Sequence, residues 1–170
     1  MSKTLEDTLT PELFEFLLPE QRDNIQDSLT LLDHFVYPHS HSQEDLLELE
    51  DYAFVVFPTA RAYEGFLKLF FRHLGVLQEE HYQSRNFRVG RSFNPDIKMH
   101  LRDNVWIYDD VARATSDEIA RRLWQMWLSG RNHLFHFFPD ERYQVNYGEA
   151  KDLVEGLIQV MEDAFHSSER

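Results

Sequence analysis

The arrangement in this chain best suited to chemistry is an arginine and a histidine five positions apart: Arg131-Asn132-His133-Leu134-Phe135-His136, between a Trp-rich segment and Phe137-Phe138-Pro139. A guanidinium can grip a phosphate through paired N–H donors, or neutralise charge gathering on a pentacoordinate phosphorus. Imidazole is the side chain that exchanges a proton nearest physiological pH. Together they supply the minimum for RNA cleavage, a base to activate the ribose 2′-hydroxyl and a cation to stabilise the transition state. On a regular helix, positions 131 and 136 are about 1.4 turns apart and offset by about 140°. Both side chains reach one groove only if the helix begins, bends or widens there, and Ser129-Gly130 and Pro139 provide that irregularity. His133 stands at i, i+3 to His136 and is able to act as a second base or a metal ligand; a packing or hydrogen-bonding role is the simpler reading.

The scaffold that must position these groups is set by composition. A chain of 170 residues with 42% hydrophobic residues, among them 14 Phe, 7 Tyr and 3 Trp, can fill the core of one domain. Cysteine is absent, which excludes disulfides and Cys-based zinc sites. The first residues carry neither the basic region nor the apolar run of a signal peptide. No apolar stretch approaches the roughly 18 to 20 residues needed to span a bilayer. A soluble cytoplasmic protein is the expectation, with no membrane partner.

A net charge of −13 argues against broad nucleic-acid binding, DNA included, since affinity from counterion release needs Lys and Arg facing phosphates. One region departs from that balance: over residues 81–102, Arg85, Arg88, Arg91, Lys98 and Arg102 stand against Asp96 alone. Two readings remain open, a phosphate-binding loop that receives RNA and a solvated loop or interface to an acidic partner.

Along the chain, Thr10-Pro11-Glu12 signals a helix start, and Leu13, Phe14, Phe16, Leu17 and Leu18 follow it. Ile25, Leu29, Leu32 and Val36 mark an amphipathic helix from Glu20 to about Tyr37. Pro38-His39-Ser40-His41-Ser42 breaks it. The His39/His41 pair can chelate a divalent ion but has no third ligand nearby, so a turn is the favoured reading, and neither metal nor cofactor is expected. Residues 43–74 are helix-compatible, with Pro58 implying a kink or a fresh start and Gly75 a stop. Within them Glu64 is either a surface carboxylate between core stripes or the buried partner of a cation. Residues 77–114 are irregular, with Val105–Tyr108 a short strand or helical turn. Helicity returns at Thr115-Ser116-Asp117-Glu118, a capping-box pattern, and through Leu123, Trp124 and Trp127. The last helix is capped by Asn146 and turns Leu153, Val154, Leu157, Ile158, Met161 and Phe165 inward, before His166–Arg170 fray. The expected fold is an all-α bundle of four to six helices with an irregular insertion around 78–112. It forms a single domain in which 1–42 are an N-terminal helical extension and 43–165 the bundle core carrying the motif.

The Arg131–His136 element, with polar Asn132 directly after the arginine, resembles the R-x4-6-H motif of HEPN-domain ribonucleases. Phe57-Pro58-Thr59-Ala60-Arg61-Ala62-Tyr63-Glu64-Gly65-Phe66-Leu67-Lys68, then the irregular segment, the Trp-rich helix and the motif, are similar in order to the toxin domain of the RNase LS and LsoA family. The resemblance covers roughly residues 43–165. It implies a HEPN-like bundle acting as a homodimer, and metal-independent endoribonuclease cleavage that leaves a 2′,3′-cyclic phosphate. Arg131 and His136 match the motif pair, Asn132 and His133 lie beside them in support, and Glu64 matches a helical glutamate that assists the pair. It further implies a toxin of a toxin–antitoxin or phage-defence system, silenced by a small antitoxin protein. The larger toxins carry further N-terminal domains, whereas residues 1–42 precede the matching region here. The alternative is a catalytically silent HEPN-like binding or dimerisation module.

Overall fold

The computed structural model describes residues 4–36, 49–136, 139 and 144–168; these are helical and contain no strand. The elements in order are α1 (Pro11–Phe16), α2 (Pro19–Val36), α3 (Ala53–His73), α4 (Glu79–Gln83), α5 (Val89–Ser92) and a 3₁₀ turn (Met99–Leu101). There follow α6 (Tyr108–Ala114), α7 (Asp117–Trp127), a π turn (Leu128–Asn132), α8 (His133–Phe135) and α9 (Tyr147–Ser168). The protein is an all-α bundle. No helix among the described residues is long and apolar enough to cross a membrane.

At its centre lies α3. Val55, Val56, Ala60, Ala62, Tyr63, Phe66, Leu67, Phe70 and Phe71 are all buried, more of its circumference than the single stripe of a surface helix. Helices α2 and α9 pack along it, and α7 packs on α9. Phe66 and Phe70 stack at 5.3 Å, and Phe71 meets Phe93 from the irregular segment at 4.8 Å. A single helix runs through Pro58, so there is no fresh start there. Pro58 offers no amide to the Phe54 carbonyl, and the buried Thr59 amide donates instead to Ser28 Oγ of α2 at 3.0 Å. The proline thereby ties two helices together.

Several starts and stops fall where the sequence predicts. Thr10 caps α1 by accepting from the Leu13 amide, and its own hydroxyl donates to Glu162 of α9 at 2.7 Å. Asn146 and Glu149 form a reciprocal capping box at the start of α9, with bonds of 3.0 and 2.8 Å. Gly75 ends α3 with φ 72°, and the Val76 and Gly75 amides return to Phe71 and Arg72 carbonyls in a Schellman closure.

Other expectations need correction. The cap of α7 is Ser116, not Thr115: Ser116 Oγ accepts from the Ile119 amide, while the Thr115 hydroxyl donates back to Val111 and closes α6. That shift of one residue puts Ile119, not Glu118, at the position a capping box reserves for glutamate. The Val105–Tyr108 stretch is no strand; Tyr108 opens α6. Helix α9 does not fray at His166 but continues to Ser168, where the Ser167 and Ser168 hydroxyls donate to the Ala164 and Phe165 carbonyls. Leu153 is only half-buried. The N-terminal segment is no appendage, because Leu5, Leu9, Leu13, Leu17 and Ile25 belong to the same core as α3. His39 and His41 lie outside the described residues, as do 43–48 and Phe137-Phe138.

Tyr63 joins α3 to α7, its hydroxyl donating to the Leu123 carbonyl at 2.8 Å. Complete burial drives its phenol well above its ordinary value, because the phenolate would be stripped of water. The folded protein thus keeps this proton while the unfolded chain releases it near pH 10, so stability falls as pH rises above about 10. Tyr63→Phe is expected to lower stability at pH 7 by about 1 kcal/mol through the lost hydrogen bond. It should also flatten the alkaline decline, as urea unfolding from pH 8 to 11 would measure.

Candidate functional site

The site forms where the Trp-rich helix loses its α-helical register. Ser129 Oγ donates back to the Gln125 carbonyl at 3.1 Å, a bond that competes with the helical ladder. The His133 amide then reaches the Leu128 carbonyl, five residues back, in a π turn. Gly130 makes this geometry possible against α9, since a β-carbon there would lie 3.0 Å from Leu157 Cδ2. The widened turn carries Arg131. Residue His136 stands just past the end of α8 in extended conformation (φ −113°, ψ 137°), which frees its ring from the helical 140° offset and turns it back.

The two side chains meet. Arg131 Nη1 lies 3.4 Å from His136 Nε2, and Arg131 Nη2 lies 3.2 Å from Glu64 Oε2. Guanidinium has donors only, so in this contact Nε2 presents its lone pair, the form a general base requires. Glu64 also receives Lys68 Nζ at 3.5 Å on its other oxygen. The carboxylate is therefore neither the free surface group nor the fully buried partner of the two sequence readings; about a quarter of its side chain, 27%, stays exposed between two cations. The Arg131 guanidinium is supported from below by the Trp127 ring, 5.2 Å from its centroid at helical i, i+4 spacing.

These groups border a cleft of about 270 Å³ lined by Phe57, Ala60, Arg61, Glu64, Arg131 and Phe135. Arg61 is exposed and makes no ion pair among the described residues. Arg61, Lys68 and Arg131 against Glu64 make this a locally cationic patch on a chain of net charge −13. Asn132 and His133 are half-buried on the same turn and do not line the cleft.

None of Arg85, Arg88, Arg91, Lys98 and Arg102 lines the cleft either. Two of them brace their own segment. Arg102 donates to the Ile97 and Pro95 carbonyls, lies 3.8 Å over the Trp106 ring and faces Asp109 at 3.6 Å, while Arg91 pairs with Asp103 at 2.7 Å. The segment approaches the site only through Gly90, where a β-carbon would come within 3.2 Å of Trp127 Nε1, the indole on which Arg131 rests. Among the described residues no three His, Cys, Asp or Glu side chains gather to hold a metal.

Sequence reasoning missed Phe57, Arg61 and Lys68 as members of the site. The signal was present: with Glu64 they recur at i, i+4, i+7 and i+11, one continuous stripe along a helix otherwise filled with core residues. No family model, curated protein or solved structure matches the chain. The residues themselves therefore carry the functional argument.

The Arg131–Glu64 pair is part-exposed on both sides, 30% and 27%, and pairs of that kind contribute about 1 kcal/mol or less. A double-mutant cycle of Glu64→Ala and Arg131→Ala in urea unfolding should give a coupling no larger than that. A coupling of about 3 kcal/mol or more would mark the pair as a buried structural bridge.

Proposed function

We propose that the chain is a metal-independent endoribonuclease of HEPN type, with Arg131, His136 and Glu64 as its working groups. The observation that carries this reading is the position of Arg131, within 3.2 Å of Glu64 and 3.4 Å of His136 at the wall of an open cleft. In the reaction, His136 Nε2 takes the proton of a ribose 2′-hydroxyl, and the 2′-oxygen attacks the adjacent phosphorus. Arg131 binds the non-bridging oxygens, whose negative charge grows in the transition state. The bond to the 5′-oxygen breaks, that oxygen takes up a proton, and the products are a 2′,3′-cyclic phosphate and a 5′-hydroxyl. Glu64 orients the guanidinium and, with Lys68 on its second oxygen, keeps it from swinging into solvent.

The same reading extends to a homodimer that brings two copies of the motif across one groove, so that a second histidine is on hand to protonate the leaving oxygen. It extends also to a cytoplasmic toxin of a toxin–antitoxin or phage-defence system, held silent by a small antitoxin protein. A second reading, a catalytically silent binding module, draws on one feature: Arg131 is already engaged by Glu64 and Trp127, contacts that a purely structural arginine would make.

The two readings part in a cleavage assay in EDTA. The wild type is expected to cut single-stranded RNA to ends bearing cyclic phosphate, and His136→Ala and Arg131→Ala to lose about 100-fold or more in rate. Glu64→Gln should lose less, because it acts through Arg131. An absence of cleavage across the concentration range that drives dimerisation would establish the silent module.

A further inference from the structure

Phe57 is 51% exposed, although it sits near the start of the most deeply buried helix in the protein. Its ring meets that of Phe135 edge-on, with centroids 5.3 Å apart and planes at 85°. A T-shaped pair commits one face of one ring and an edge of the other, leaving aromatic face uncovered. Both rings line the same cleft as Arg61, Glu64 and Arg131. One wall of that cleft is thus aromatic and the other carries two guanidinium groups.

We infer that this cleft is a nucleobase subsite for single-stranded RNA, in which one base stacks against Phe57 and Phe135 while the flanking phosphates lie on Arg61 and Arg131. The inference rests on the ribonuclease reading of the site and specifies which form of RNA it takes. Aromatic rings beside cations are the combination by which proteins hold unpaired nucleotides, since every base offers a π-face and every linkage a charge. In a duplex those faces are stacked on neighbouring bases and cannot reach Phe57. At about 270 Å³ the cleft falls just below the usual range of small-molecule sites, about 300 to 1,000 Å³, which suits one base rather than a stack. Charge complementarity favours RNA over an apolar peptide as occupant: Arg61 has no carboxylate partner among the described residues. The subsite would also select by position, because a base held at Phe57 fixes which phosphate along the strand comes to Arg131.

The test uses 5′-fluorescein single-stranded oligoribonucleotides with every 2′-hydroxyl methylated, so that they bind without being cut, and fluorescence anisotropy as the readout. Phe57→Ala should weaken binding about 5- to 100-fold, while Phe57→Tyr, which keeps the ring, stays within about threefold of wild type. Arg61→Gln should lower the slope of log Kd against log salt by about 0.7, the loss of one phosphate contact on a single strand. The matched duplex should bind more weakly than the single strand. Thermal unfolding checks that each variant is folded, and the exposure of Phe57 makes it a mild substitution.

Unchanged affinity in Phe57→Ala overturns the inference. If that variant instead loses self-association in sedimentation, the ring belongs to an interface between copies of the chain. The same experiment separates this inference from the reading beneath it. Phe57-dependent binding by a wild type that cuts no unmethylated RNA leaves the subsite standing and removes the nuclease. Cleavage that requires Arg131 and His136 but ignores Phe57 does the reverse.

Discussion

A helix surrounded by protein has very little surface on which to display a charge, and that constraint organises this molecule. Helix α3 gives up nearly its whole circumference to Tyr63, Phe66, Phe70 and their neighbours, leaving one narrow stripe through Phe57, Arg61, Glu64 and Lys68. Each flanking helix is fixed to α3 by a specific contact as well as by apolar packing. Ser28 meets the Thr59 amide from α2, and the Tyr63 hydroxyl meets the Leu123 carbonyl of α7. Because Tyr63 and Glu64 are adjacent, the residue that anchors α7 also sets the height and azimuth of the carboxylate. The π turn extends directly from α7, so Glu64 and Arg131 are held in register by the core between them rather than by their own modest attraction.

The charge distribution follows the same economy. A chain at −13 repels polyanions as a whole, and any affinity for them must come from short-range contacts in a defined place. The formal charge of residues 81–102 looks like that place, yet Arg102 is folded onto Trp106 and backbone carbonyls, and Arg91 onto Asp103. Those arginines make a loop-rich segment rigid without a core of its own. The cleft beside α3 needs fewer cations because aromatic surface shares the work of holding a ligand there.

Local signals read true where they depend on a few neighbouring residues. The Thr10 cap, the Asn146–Glu149 box, the Gly75 stop and the periodicity of α2, α3 and α9 are all of this kind, and the all-α class followed from them. The Arg131/His136 spacing was equally visible, together with the need for the helix to widen or end between them. What could not be read depends on tertiary neighbours. Thr115 and Ser116 are equally good caps in isolation, and only the closure of α6 onto Val111 decides between them. A proline in mid-helix reads as a break unless a serine thirty-one positions earlier is known to face the freed amide. Likewise, when nearly every face of a helix is apolar, the pattern does not reveal which stripe is left open, and so Phe57 and Arg61 passed as core and surface rather than as a cleft.

The π turn has a consequence for how this chain can change over evolutionary time. Such a turn amounts to one residue more than an α-helix needs, and each residue of a helix advances it by about 100°. Removing one residue from Leu128–Asn132 would let the α-helix close through the gap and swing everything beyond it round the axis, carrying the arginine away from Glu64 and Trp127. Substitutions in this turn alter the site by degrees, whereas a change in its length dismantles it at a stroke. Descendants of this chain that keep the chemistry should therefore vary in the letters of the turn and hold its count.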